Sequence, residues 1–143
     1  MNIDPKILAL HNNMRLWRRQ IHQHPETAFE ETATARLVTE QLQQAGIEVH
    51  QGLAKTGIVG ILLRGNSTNS IVLRADMDAL YIQEQNRFEH APIMTVKCMP
   101  VTTTGIAPCY SVQPIISPTT VVLRGRCILF FSRRKNAGPV PIK

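Results

Sequence analysis

Apolar residues recur along the first ninety positions in two different periods. Ile7, Leu8, His11, Met14, Leu16, Trp17 and Ile21 fall at three- and four-residue intervals, which predicts one face of a helix. Asp4 and Pro5 suit its start, because an aspartate side chain accepts from free backbone N–H groups and proline costs nothing in a first turn. A second helix is expected from about Glu30 to Ala45, with Ala33, Leu37, Val38 and Leu42 inward and Gly46 as its stop.

Beyond Gly46 the period shortens. Ile47 and Val49 suggest a short strand, and Ile58 to Leu63 and Ile71 to Leu73 are β-branched runs that read as sheet strands. Gly65-Asn66-Ser67-Thr68-Asn69 between the latter two is turn chemistry, so they are expected to form a hairpin or to be neighbours. Helix, helix, strand, strand, strand predicts the entry of an α/β sandwich.

Two polar groups stand out against this frame. His22, His24 and Glu26 flank Pro25 at a helix end, where polar partners for free backbone groups are needed anyway, so a structural role outweighs a ligand role. Arg74, Asp76 and Asp78 close a strand, a place where α/β enzymes put functional side chains. If the strand continues, the two carboxylates share a face and suit a metal or an oriented ligand; a solvated strand end explains them nearly as well.

Composition divides the chain near residue 90. Residues 1–90 carry nine basic and ten acidic side chains; residues 91–143 carry seven basic ones (Lys97, Arg124, Arg126, Arg133, Arg134, Lys135, Lys143) and no acidic ones. The net charge of +6 therefore sits in the tail, together with Cys98, Cys109 and Cys127 and seven of the nine prolines. Three cysteines at these spacings match no zinc-site pattern and define no disulfide framework. No basic segment leads into an apolar run at the start, and no stretch approaches the roughly 18 apolar residues a membrane span needs, so a soluble cytoplasmic chain is expected.

Several stretches of the first ninety residues form an ordered signature. Arg18-Arg19, then Ile21-His22-Gln23-His24-Pro25-Glu26 and Phe29-Glu30-Glu31, are followed by Thr56-Gly57-Ile58-Val59-Gly60 and by Arg74-Ala75-Asp76-Met77-Asp78-Ala79-Leu80 with Ile82-Gln83-Glu84. This series resembles the opening of metal-dependent amidohydrolases of the aminoacylase, hippurate-hydrolase and indoleacetyl-amino-acid-hydrolase type, over about residues 15–90. Tyr81 stands where proline is usual in them. The resemblance implies a zinc-peptidase-like three-layer α/β sandwich, of which residues 1–90 supply the helix-helix-strand part. It implies zinc or manganese as cofactor of the intact enzyme and a small N-acyl amino acid as substrate. It also implies water activated by two metals and a glutamate base, with Asp78 orienting a metal ligand.

The resemblance next requires a Cys-Gly-His-Asp-Gly-His run and later a Pro-Ala-Glu-Glu run, the ligands and the base. The chain has Met99-Pro100-Val101-Thr102-Thr103-Thr104-Gly105-Ile106 instead, with no metal donor set. Re-reading the tail by joining the third base of each codon to the first two of the next restores the motifs. Met94-Thr95 forces Asp and Met99-Pro100 forces Ala; around them His-Asp-Gly-Lys-Met-His-Ala-Cys is permitted, and Thr102 to Ile106 permit His-Asp-Gly-His. Pro108 to Ser117 permit Met-Leu-Leu-Gly-Ala-Ala-His-Tyr-Leu, a helix, and Arg124 to Lys135 permit Gly-Thr-Val-His-Phe-Ile-Phe-Gln-Pro-Ala-Glu-Glu. One position departs: Val101 before Thr102 demands a codon ending in AC, so glycine cannot follow the re-read cysteine.

The expectation is loss of one base, or gain of two, between about His90 and Pro92, with Asn136-Ala137-Gly138 as a return to the original frame. Residues 91–143 are then an out-of-frame, irregular, basic and Pro-rich tail without a domain of its own. Arg134 and Lys135 take the places of the acidic pair, so no metal and no hydrolysis are expected of the chain as written. Poor stability is expected too, with Cys127-Ile128-Leu129-Phe130-Phe131 aggregation-prone. Two rival classes are weaker. A basic nucleic-acid or membrane-surface binder lacks stacking aromatics and an amphipathic basic period, and a dimerisation or interaction module has no matching segment.

Overall fold

The computed structural model describes residues 5–80, 89 and 125–132, without the side chains of Lys6 and Ile7. Two helices, α1 (Pro5–Gln23) and α2 (Thr32–Gln44), precede strands β1 (Glu48–Leu53), β2 (Gly57–Arg64), β3 (Ser70–Asp76) and β4 (Gly125–Ser132). The strands form one sheet in the order β1-β2-β4-β3. β1/β2 and β2/β4 are antiparallel, and β3/β4 is parallel. This is the mixed α/β class expected from the periodicities.

Along α1 the inward face is Leu10, Met14, Trp17 and Ile21, all half-buried or buried, whereas Leu8 and Leu16 are exposed. Assigning those two leucines to the inner face is thus corrected: steps of 4, 3 and 4 residues from Leu10 stay on one side of a helix, and Leu8 and Leu16 fall off it. On α2 the buried positions are Thr34, Val38, Thr39 and Leu42, with Leu37 half-buried against Ile21 and Ala79. Ala33 is exposed, contrary to expectation. The helix stops at Gly46 (φ 72°), where the Gly46 N–H donates to the Gln43 carbonyl at 2.9 Å and the Ile47 N–H to the Leu42 carbonyl at 3.0 Å. That paired closure of the last turn needs a left-handed residue, which glycine adopts without strain.

The core lies between α2 and one face of the sheet: Val38 and Leu42 pack with Ile58, Leu62, Ala75, Met77, Cys127, Leu129 and Phe131. Register explains the set, because Ile58 pairs with Phe131, Gly60 with Leu129 and Leu62 with Cys127, and alternate residues of a strand share a face. Gly60 leaves little room there: an added Cβ would lie 3.2 Å from Ile47 and 3.3 Å from Leu42, close enough that both side chains would have to shift.

The expected β2–β3 pairing is not found. Asn69 and its neighbours do reverse the chain, but β4 sits between the two strands. Turn chemistry specifies reversal and leaves open which strand fills the gap. Among the described residues the tail contributes β4, which joins the sheet of the front part. Its inward residues Gly125, Cys127, Leu129 and Phe131 alternate with Arg126, Ile128, Phe130 and Ser132. No helix among the described residues is long and apolar enough to cross a membrane.

Candidate functional site

The signature stretches meet at the C-terminal end of β3. β3 ends at Asp76; the Met77 N–H donates to the Ser132 carbonyl at 3.0 Å, and the Ala79 N–H donates to the Glu26 carbonyl at 2.7 Å. Thr27 and Ala79 form an isolated parallel bridge. Met77, Asp78 and Ala79 are therefore clamped between the end of β4 and the loop after α1, and all three are buried.

That loop is shaped by Glu26. Its Oε2 accepts from the Thr34 N–H at 2.8 Å and the Thr34 hydroxyl at 2.9 Å. Its Oε1 accepts from the Ala33 N–H at 3.0 Å and the Thr32 hydroxyl at 3.2 Å. The residue flanking α2, Glu31, makes no side-chain cap; Glu26 therefore satisfies free N–H groups of the first turn from outside the helix and places a negative charge at its positive end. Structural duty, the expected reading for this residue, is what the geometry gives.

Glu31 links the loop to a second signature stretch. Fully buried, it accepts from the Thr56 hydroxyl through Oε2 at 2.7 Å, and Thr56 leads into Gly57-Ile58-Val59-Gly60. Its Oε1 has no hydrogen-bond partner among the described residues. Thr27 is buried as well, its hydroxyl donating to the Glu30 carboxylate. Glu31 stands in the signature stretch Phe29-Glu30-Glu31 but without a duty of its own, and Thr27 was not singled out by sequence reasoning; acidity alone reads as exposure.

The two strand-end carboxylates have different surroundings. Asp76 accepts from the Arg74 guanidinium at 2.9 Å, and Arg74 Nε donates to the Ser132 hydroxyl at 3.2 Å, both part-exposed on the sheet face away from α2. Asp78, at 1% exposure, is sunk in the clamp. His22 and Pro25 are buried and His24 is exposed; His24 lines a shallow cleft of about 200 Å³ with Gln20, Thr34 and Arg36, which includes neither Asp76 nor Asp78. Among the described residues no three His, Cys, Asp or Glu side chains come together to hold a metal ion. The described residues thus do not by themselves make up a dinuclear centre. Burial pushes the Cys127 thiol above its ordinary range. Arg134, Lys135 and, apart from Glu89, the sequence from Gln83 to Ile106 lie outside the described residues.

The sheet packed against α2, with Asp78 buried just beyond the end of β3, matches part of the fold of known metallopeptidases. The chain superposes on a Bacillus subtilis protein described as a dinuclear metal-binding peptidase from the M20 family, with TM-score 0.79 and 26% identity over 86% of this chain and 35% of that one. In sequence it is 50% identical over 84 residues to a hippurate hydrolase of Campylobacter jejuni, covering 59% of this chain and 22% of the relative. It is 44% identical over 75 residues to an N-acyl-L-amino acid amidohydrolase of Geobacillus stearothermophilus, covering 52% of this chain and 20% of the relative. The front of the chain thus resembles the N-terminal part of metal-dependent amidohydrolases of the hippurate-hydrolase and aminoacylase type. No family model matches the chain. The chain spans about a fifth of the length of these curated relatives.

Proposed function

We propose that residues 1–90 are the in-frame opening of a metal-dependent hydrolase of N-acyl amino acids, and that residues 91–143 are read out of frame, so that the chain as written binds no catalytic metal and hydrolyses no amide. The observation that carries this reading is the unequal reach of the two likenesses. Sequence similarity to the hippurate hydrolase extends over 59% of the chain, whereas similarity of fold to the B. subtilis peptidase extends over 86%. A frame change accounts for that difference, because it erases residue identities abruptly while a strand-forming run survives it. Zinc or manganese and a small N-acyl amino acid are the cofactor and substrate of the intact enzyme under this reading, and the cytoplasm is its place. Under this reading Asp78 orients a metal ligand in the intact enzyme, and the out-of-frame tail does not encode that ligand.

Sequencing the DNA across the codons for residues 85–140 tests the frame, and a single-base restoration near His90 is the expected correction. In parallel, the chain as written, incubated with zinc or manganese and hippurate, is expected to release no glycine. Metal-dependent release would overturn the proposal.

A further inference from the structure

The sheet ends on two strands of opposite design. Among the described residues β1 and β3 each have a strand on one side only. β1 is blunted in ways that keep an edge from recruiting another chain. Its register shifts between Gln51 and Leu53, around Gly52 at φ 87°, and the side chains of Glu48 and His50 are exposed along it. β3 has none of these devices. It runs beside β4 from Ser70 to Asp76 without a shift in register, and it contains no proline and no lysine. Ile71 and Val72, consecutive and therefore on opposite faces, are 47% and 60% exposed. The two charges of the strand, Arg74 and Asp76, pair with each other at 2.9 Å, so it carries no net charge to repel a copy of itself.

The hydrogen bonds flanking β3 show which backbone groups face the open edge. The Arg126 N–H donates to the Asn69 carbonyl and the Met77 N–H to the Ser132 carbonyl. In a parallel pair alternate residues of a strand bond the same neighbour, so Asn69, Ile71, Leu73, Ala75 and Met77 turn their backbone groups to β4. Ser70 and Val72 turn theirs away from it. A second copy, antiparallel and related by a two-fold axis at Val72, sets Val72 opposite its own counterpart, where the two exchange N–H and C=O groups. The same register sets Ile71 opposite Leu73 of the second copy. The centre of the joint is then apolar on apolar on both faces of the sheet. We infer that β3 is the edge through which two copies of this chain join, antiparallel about Val72, into one continuous sheet. A two-fold joint uses the same edge of each copy and leaves the blunted β1 edges outside, so it closes at the dimer.

Sedimentation velocity on the full chain at rising micromolar concentration tests this, and a shift from monomer to dimer with no larger species is expected. Val72→Pro removes an N–H that points away from β4, a change edge strands tolerate. It should weaken the dimer by about tenfold or more while the far-UV circular dichroism stays that of the parent. Ile71→Lys puts a charge on the other face of the same edge; it should act alike, and it serves where the proline variant does not fold. Association through the sheet face that carries Val72 would survive both changes. A monomer at every concentration, a dimer unmoved by both variants, or open-ended growth into larger species overturns the inference.

Discussion

Replacing Glu26 by alanine removes the side chain that caps the first turn of α2 from the loop between α1 and α2. Its two oxygens accept four hydrogen bonds, of which the pair from Thr34 is shorter and less exposed than the pair from Ala33 and Thr32. Loss of a helix cap costs about 1 kcal/mol and loss of a favourable charge at the helix end another 0.3–1, roughly. The half-buried Thr34 N–H then lacks an acceptor, which adds further to the cost. The expected total is about 2 kcal/mol, a large share of the roughly 5–15 kcal/mol that holds a domain together. In urea, with a slope of about 1–3 kcal/mol/M, the midpoint falls by roughly 1 M. Glu26→Gln should lose about half as much, because one amide oxygen still serves Thr34 while the NH2 faces the Ala33 N–H. Thr32→Ala, which removes only the exposed 3.2 Å contact, should stay within about 0.5 kcal/mol. If Glu26→Ala costs no more than Thr32→Ala, the outside cap is not what orders this loop.

Three other outcomes follow from the packing. Phe131, with no exposed surface and packed in the core cluster, should cost about 3–5 kcal/mol when changed to alanine; an unchanged urea midpoint would mean that β4 is no part of the folded sheet. Gly57→Ala puts a Cβ 2.5 Å from the Leu53 carbonyl oxygen, so a loss of about 1–3 kcal/mol is expected, and a neutral result in the same titration contradicts this turn geometry. Cys127 has a thiol held above its ordinary value by burial. Its contribution to stability is therefore complete below the unfolded-state value of about 8.5 and declines as pH rises above it, because the unfolded thiol ionises first. Thiol labelling located by mass spectrometry should find Cys127 modified only on unfolding; rapid labelling of the native chain at pH 8 would refute its burial.

What the sequence disclosed and what it withheld divide along the range of the interactions. Local periods were enough for α1, α2 and the strands up to β3, because 3.6- and 2-residue repeats are set within a few residues. The sheet order was not accessible in this way. Gly65 to Asn69 announced a reversal, and the reversal is there, but the strand that fills the gap begins at Gly125, 56 residues after Asn69, and pairing at that separation leaves no mark in local alternation. Cys127-Ile128-Leu129-Phe130-Phe131 illustrates the ambiguity. An unbroken apolar run is the composition both of an aggregation-prone segment and of an interior strand buried on its two sides. Only the presence of β2 and β3 on either edge assigns it to the second. At the site, the signature residues were legible as a set, while their division into duties was not. Glu26 and Glu31 proved to brace loops, and Asp76 to pair with Arg74, for reasons that lie in contacts 6 to 25 residues away for the glutamates and on the neighbouring strand for Arg74.

The proposed change of frame also has to explain why a strand stands at Gly125–Ser132 at all, and the genetic code supplies a physical reason. Phenylalanine codons begin with two thymines, so any codon that straddles the boundary before a phenylalanine reads N-T-T. Every such codon encodes Phe, Leu, Ile or Val. The boundaries before Phe130 and Phe131 therefore yield apolar residues in the other frame whatever base precedes them. A thymine-rich stretch is apolar in both frames, and sheet formation depends on apolar, β-favouring composition far more than on particular identities. Catalytic residues have no such protection, because His, Asp and Glu codons share no base pattern that survives displacement by one position. A frame change near His90 would thus keep the hydrophobic strand and discard the chemistry. Of that combination, the described residues carry the strand: β4 lies inside a four-stranded sheet with a full core.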